Sequence, residues 1–198
     1  ARFRVFLGAL ILGVAAIGTV GSVAEAMRDG IAGNARLLLG GDVELRSLYM
    51  PTPDPIIATA QKYGTLSRTM TMRAMLQVGE ERRLVALKAV DDAWPMVGAV
   101  ELGSGGALAP ALADSKVVID PQLANSLGLA AGSSVRIGNA ELEVSDTLEY
   151  EPDRSVSFVT FGPRVLVSLT TLEATGLRQP GAMVTFRTRL FIDNEAER

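Results

Sequence analysis

Cysteine and histidine are both absent from the 198-residue sequence. Without cysteine there is no disulfide framework and no thiolate metal site, although the compartment stays open. Without histidine the commonest general base and the commonest transition-metal ligand are missing, so a Ser-His-Asp triad and His-ligated zinc are excluded within this chain. A long basic run is missing as well. Arg82-Arg83 is the only Arg pair and it follows Glu80-Glu81, so nucleic-acid binding has no support. The glycine-rich stretch GSGGA at residues 103–107 lacks a following Lys-Ser/Thr and any G-x-G-x-x-G context, which excludes a phosphate loop and an ATPase inside the chain.

The residues that are present lean apolar. Hydrophobic residues make up 48% and mean hydropathy is +0.27, with charged residues still at 21%, so the excess is concentrated. It sits at the front, where the 20 residues 5–24, VFLGALILGVAAIGTVGSVA, carry no charge. As a helix they extend about 30 Å, the thickness of a bilayer's hydrocarbon core. The polar Thr19 and Ser22 can bond back to helix carbonyls. Arg2 and Arg4 precede the run, which places the N-terminus in the cytoplasm and everything after about residue 25 outside. Ala9-x-x-x-Gly13 and Gly18-x-x-x-Ser22 fit a small-residue helix-packing pattern. Ala24-Glu25-Ala26 is what a cleaved signal peptide would show, but the run is longer than the usual signal core, which favours a transmembrane helix at 1–24. Both readings export the chain beyond the apolar run. Without the two head arginines, 17 basic residues face 22 acidic ones.

Met27, Ile31, Ala35 and Leu38 then form a helical stripe, read as a stalk helix over 25–41. Gly40-Gly41-Asp42 poses a choice between a small binding loop and a joint. Gly40 suits a helix C-cap, Asp42 a turn cap, and Val43–Leu48 alternates as a strand with one buried face, so the joint is the better reading. Asp54-Pro55 signals a helix with Ile56, Ile57 and Ala60 inward, ended by Gly64. TLSRTMTMRAMLQV and RRLVALKAV read as two long strands around a GEE turn. Residues 92–115 are irregular, with a small, flexible stretch at GSGGALAPALADS. KVVID is a short buried strand, and Asp120-Pro121 starts a helix closed at Gly128. SVRIGNAELEV is a hairpin around Gly138-Asn139. RVLVSL is a buried strand, Thr170-Thr171-Leu172-Glu173 a capping box, Gly176 a stop, and AMVTFRTRLFID a long strand.

The fold class is therefore α+β. Strand-helix-strand occurs twice in an α/β sandwich lobe over 42–97 and 156–193. A β-rich lobe over 98–155 is inserted between the halves. Residues 194–198 are polar and helix-prone, as if leading to another membrane segment.

In this order, the membrane helix, LLLGGDVELR, TMTMRAM, LKAVDDAWPMVG, VVIDPQLANSLGLAAGSSVRIGNAELEV and FGPRVLVSLTTLEATGL resemble the N-terminal part of a bacterial ABC-transporter permease of the FtsX/MacB/LolC superfamily, YbbP-like branch. The resemblance covers nearly the whole chain. It implies a two-lobed MacB-like periplasmic domain, further transmembrane helices beyond residue 198 and a separate cytoplasmic ABC ATPase as partner. It also implies transmission of ATPase motion across the inner membrane to a lipid, lipoprotein or other hydrophobic envelope substrate, with a periplasmic partner protein as a further expectation. The rival readings are a membrane-anchored periplasmic sensor or assembly domain, and an exported hydrolase using Asp91 and Asp92.

No catalytic, cofactor-binding or metal-ligating residue is assigned from the sequence. Asp91-Asp92 could hold a hard cation or share a proton, but sequence neighbours point apart, and a turn-capping role fits better. Trp94, the only tryptophan, reads as a core or lobe-hinge residue rather than a partner anchor. Met70, Met72 and Met75 offer an adaptable apolar surface or, more ordinarily, a core-facing strand. Phe158 and Phe161 sit in a loop suited to touching lipid or a partner lobe.

Overall fold

The computed structural model describes residues 2–153, 162–179 and 181–192, with the side chains of residues 2, 4–6, 9–10 and 28–39 outside that description. Two units are distinguished, Ala1–Arg36 and Leu37–Arg198.

The first unit belongs to one helix, α1 (Arg2–Leu39). The expected membrane segment and stalk are thus continuous in backbone. The described side chains at 11–27 are all exposed. Thr19 Oγ1 donates to the Ala15 carbonyl at 2.8 Å and Ser22 Oγ to the Gly18 carbonyl at 3.0 Å, the back-bonding expected of hydroxyls in an apolar helix. Among the described residues no helix is long and apolar enough to cross a membrane. Positions 5, 6, 9 and 10 of the apolar run are among those whose side chains lie outside the description. The stripe through Ile31, Ala35 and Leu38 lies outside it too.

The second unit is built on a mixed sheet. Its elements are β1 (Val43–Leu48), α2 (Asp54–Ala60), β2 (Gly64–Val78), β3 (Glu81–Val90), β4 (Glu101–Leu102), α3 (Leu108–Ala111), β5 (Lys116–Ile119), α4 (Pro121–Leu127), β6 (Ser134–Ile137), β7 (Ala140–Tyr150), β8 (Arg164–Ser168), α5 (Leu169–Ala174) and β9 (Val184–Ile192). The strand order is β1-β9-β2-β3-β8-β5-β7-β4, with β6 pairing β2 and β7. β3–β8 and β5–β7 are parallel; the other pairs are antiparallel. Both strand-helix-strand units read from the sequence are present, as β1-α2-β2 and β8-α5-β9. Residues 98–153 supply β4–β7, which hydrogen-bond into the same sheet through β5–β8 and β6–β2.

Period-2 alternation divides the core between the two faces of the sheet. In β8, Val165 and Val167 join a cluster with Leu76, Val85, Leu87 and Ile119, capped by Leu123 of α4 and Leu172 of α5. Leu166, between them, joins Val90, Trp94, Val118 and Leu148 on the opposite face. Strands buried on both faces read as unbroken apolar runs, which is why KVVI and RVLVS carry no alternation. Each fully buried Leu or Val contributes about 1.5–3 kcal/mol of transfer free energy.

Several local expectations need correction. The apolar face of β1 is not buried: Val43 and Leu45 are exposed, while Glu44 on the other face is half-buried. β1 is an edge strand, and Glu44 turns inward because Arg187 and Arg189 of β9 pair with it. Helix α2 starts at Asp54 with Pro53 as N-cap, Pro55 lies inside its first turn, and it buries no residue; Ile56 is exposed. In α5 the cap is Ser168, whose Oγ accepts from Thr171 N at 3.1 Å, so the capping residue lies two positions before Thr170. By contrast Asp120 caps α4, accepting from Gln122 N at 2.9 Å. The GSGGA bend is not a loose stretch. Asp146 of β7 accepts hydrogen bonds from Ser104 N and Ser104 Oγ, tying the bend to the sheet.

The joint after α1 is as expected in conformation. Gly40 has φ 71, in the left-handed region that a side chain disfavours. Asp42 does more than cap a turn: its N donates to Leu190 O at 2.8 Å and its Oδ2 accepts from Ile192 N at 2.8 Å, extending the β1–β9 ladder.

Candidate functional site

The sheet face that carries Trp94 changes character from one half to the other. Around Leu166 of β8, Val118 of β5 and Leu148 of β7 it is apolar. Over β1, β9, β2 and β3 it carries charge, because the alternate residues of those strands include Glu44, Arg46, Arg187, Arg189, Arg73 and Lys88.

At the boundary lies a buried ionic network. Lys88 Nζ is 2.7 Å from Glu151 Oε1 and 2.7 Å from Asp153 Oδ1, and 4.1 Å from the centroid of the Trp94 ring. The Lys88, Glu151 and Asp153 side chains are 3%, 0% and 3% exposed. Glu151 Oε2 also accepts from Arg164 Nε at 3.0 Å. Asp153 Oδ2 accepts from Trp94 Nε1 at 3.2 Å and from Arg189 Nη1. Arg189 Nε reaches Glu44 Oε2 at 2.8 Å. One connected set of charges thus ties β1, β9, β3, β8 and the 151–153 turn.

The environment of each charge follows from this geometry. Burial alone pushes the Asp153 carboxyl up. The Lys88 and Arg189 charges, with hydrogen bonds from Lys88 and Trp94, outweigh it and hold the group at about 2. Burial pulls Lys88 below its ordinary range, against the raising influence of Glu151 and Asp153. Two carboxylates and an aromatic face around one Nζ form the surroundings of a charged ammonium.

Because the folded-state value of Asp153 lies below the ordinary 3.8, its stabilisation is present above about pH 4 and is lost as pH falls towards 2. The gap corresponds to about 2 kcal/mol. Thermal melting followed by Trp94 fluorescence between pH 5 and pH 2 should therefore fall more steeply for the native protein than for Asp153→Asn. Equal slopes would show that Asp153 does not carry this acid sensitivity.

Beside the network a cavity of about 650 Å³ opens over the charged half of the face. Among the described residues, Arg46, Arg73, Lys88, Arg164 and Arg187 line it together with two carboxylates, Glu151 and Asp153. Arg46 and Arg187 are direct cross-strand partners, a like-charge arrangement that destabilises a sheet. Arg187 is lowered from its ordinary range first by burial, with Arg189 and Arg46 adding to it and Glu44 and Asp153 opposing. The wall also includes Leu48, Tyr49 and Met183, all exposed. The volume falls in the range of small-ligand sites.

The residues singled out from the sequence are distributed otherwise. Asp91 and Asp92 do not form a pair: Asp91 Oδ1 accepts from Ser67 Oγ at 2.9 Å and Oδ2 from Arg68 N at 2.6 Å, while Asp92 is exposed. Trp94 is buried in the second apolar cluster. Met70 and Met72 pack against the first cluster, and Met75 is exposed. Phe158 and Phe161 lie outside the described residues. Sequence reasoning missed Lys88, Glu151, Asp153 and the arginines. The available signals were a lysine inside the apolar run RLVALKAV and two arginines at alternate positions of TFRTRLF, where a buried face would otherwise be apolar.

A family model described as the MacB-like periplasmic core domain matches residues 5–193. The uncharacterized ABC transporter permease YbbP of Escherichia coli (strain K12) is 31% identical over 180 residues, 90% of this chain and 22% of that protein, so the chain spans about a fifth of that relative's length. Among solved structures, the extracellular domain of the noncanonic ABC-type transporter YknZ from Gram-positive bacteria superposes with a TM-score of 0.53 at 13% identity, covering 78% of this chain and 86% of that one. The periplasmic region of MacB from Actinobacillus actinomycetemcomitans does so with a TM-score of 0.50 at 12% identity, covering 85% and 83%. At these identities the structural likeness is one of fold.

Proposed function

Because the chain belongs to the family of MacB-like periplasmic core domains, we propose that it is the first membrane segment and periplasmic domain of the permease subunit of an ABC transporter. The single observation that carries this reading is a family match running from the apolar helix through the last strand, in the order of elements read from the sequence. ATP is hydrolysed by a separate cytoplasmic partner. The domain transmits that motion across the inner membrane to a lipid, lipoprotein or other hydrophobic envelope substrate.

The first part of α1 is the anchor in this proposal. Ile11, Leu12, Val14, Ile17 and Val20 are exposed on the helix, and water offers such a surface nothing in return. In acyl chains the exposure is favourable, and Thr19 and Ser22 already bond to their own helix. Reporter fusions at the two ends of residues 1–60 test the orientation. A cytoplasmic location for the region after residue 45 would overturn the proposal. Recovery of an ABC ATPase with the affinity-purified membrane protein tests the partner; its consistent absence would favour an anchored sensor or assembly domain instead.

The joint at Gly40-Gly41 carries motion outward in this reading. Gly41 is buried, and a Cβ there would lie 3.0 Å from Leu190 O and 3.3 Å from Met96 Cε. Gly41→Pro is expected to abolish complementation of a strain lacking the permease and to lower the melting temperature through these contacts, while Trp94 fluorescence still reports a cooperative transition of a folded domain. Full complementation would count against a coupling role for the joint.

A further inference from the structure

The cavity beside the ionic network has features that a purely structural role does not require. Arg46 and Arg187 stand directly opposite each other on β1 and β9. A single carboxylate, Glu44, serves two guanidiniums here, its Oε1 lying 3.5 Å from Arg187 Nε and its Oε2 2.8 Å from Arg189 Nε. A like-charge pair across a ladder costs stability, and either position would accept an uncharged residue on a strand. Arg73 of β2 brings a third guanidinium to the same cavity. Among the described residues of its wall, cation outnumbers carboxylate although the whole chain has a net charge of −3. The local excess is therefore a property of this site and not of the protein's composition.

A second, independent feature lies at the rim. Tyr49 has φ 69, an uncommon conformation for a bulky residue, and it is held there by a 3.0 Å hydrogen bond from its N to Val184 O. This backbone presents a tyrosine that is 58% exposed, beside Leu48 and the 77% exposed Met183. Glycine would occupy the same conformation without strain. A strained aromatic kept at the edge of a cationic cavity, with apolar neighbours open to solvent, matches a ligand with two chemical ends.

We propose that this cavity binds an anionic amphiphile, whose phosphate or carboxylate headgroup is held by Arg46, Arg73 and Arg187 and whose apolar chain lies over Leu48, Tyr49 and Met183. Guanidinium forks suit both oxyanions, and the headgroup would relieve the repulsion between the facing arginines. The rim supplies area for the first part of a chain and leaves the remainder outside a cavity of about 650 Å³. The assignment rests on the permease reading only for the ligand's role as cargo; binding itself requires no ATPase.

The test uses the full chain purified in non-ionic detergent. Native mass spectrometry reads the adducts formed with dioctanoyl phosphatidylglycerol, dioctanoyl phosphatidylcholine or inorganic phosphate. One phosphatidylglycerol per chain should be retained, in preference to the zwitterionic lipid and to phosphate alone. Arg46 and Arg73 are exposed, so Arg46→Glu with Arg73→Glu should keep the melting transition and weaken phosphatidylglycerol binding about tenfold or more. Tyr49→Gly should raise the melting temperature while weakening binding, a combination that a structural role for Tyr49 would not produce. Equal retention of both lipids, or binding unaffected by the double charge reversal, would overturn the site. Phosphate bound as tightly as the lipid would overturn its amphiphile character. A protein that binds phosphatidylglycerol as described but fails to recruit an ATPase would keep this site and lose the permease reading.

Discussion

Lys88→Ala should lower the melting temperature of the full chain by about 10 °C. The substitution leaves Glu151 and Asp153 buried without the ammonium that lies 2.7 Å from each. Removing one partner of a buried ionic set costs about 3–5 kcal/mol, chiefly through the uncompensated charge left behind. For a chain near 200 residues each kcal/mol moves the transition by about 2–4 °C. Trp94 is the single tryptophan, its Nε1 donates to Asp153, and its ring lies against Lys88, so its fluorescence reports the network directly. Lys88→Met with Glu151→Gln should recover part of the loss seen in Lys88→Met alone, because it removes a buried carboxylate along with its cation. A Lys88→Ala transition within 2 °C of wild type would show that water or rearrangement satisfies the carboxylates, and the network would then hold little of the stability.

Gly138→Ala and Gly79→Ala should differ sharply even though the two glycines share φ 57. Both lie in two-residue turns between strands, after β6 and after β2. A Cβ on Gly79 would meet nothing within 4 Å, so only the backbone preference is lost, at about 1 kcal/mol. A Cβ on Gly138 would lie 2.3 Å from the Thr175 carbonyl oxygen, whose position is set by Asn139 N donating to it at 2.9 Å. Backbone must move there, the β6–β7 turn must separate from the end of α5, and the expected cost is about 3 kcal/mol. Thermal melting of the two variants side by side decides the matter: similar shifts would mean that the turn relaxes away from Thr175.

The turn at Gly138-Asn139 shows how far local sequence reaches. The dipeptide between two alternating runs is a hairpin signal, and the hairpin is there. Nothing in the dipeptide says that α5, nearly forty residues on, ends against it. The same division holds elsewhere. Asp120-Pro121 encodes its own helix start, since the cap, the proline and the first turn are consecutive. Asp54-Pro55 looks alike, yet that helix takes Pro53 as its N-cap and buries nothing. Whether an alternating strand hides its apolar or its charged residues is not readable either. The alternation of β1 points Val43 and Leu45 inward, but Glu44 takes that side because β9 places Arg187 and Arg189 opposite it.

Membership of the family, the succession of elements, the apolar helix at the front and the exclusion of thiol, imidazole and phosphate-loop chemistry come from the sequence by itself. Each depends on residue type, on order along the chain or on spacing within one turn or strand. The candidate site does not. Its arginines come from β1, β2, β8 and β9, and its lysine and carboxylates from β3 and the turn after β7. They meet because β9 inserts between β1 and β2, and because β8 runs parallel beside β3. Strand order and register are settled by long-range pairing, so only the tertiary structure could turn scattered charges into one buried network and one cationic cavity.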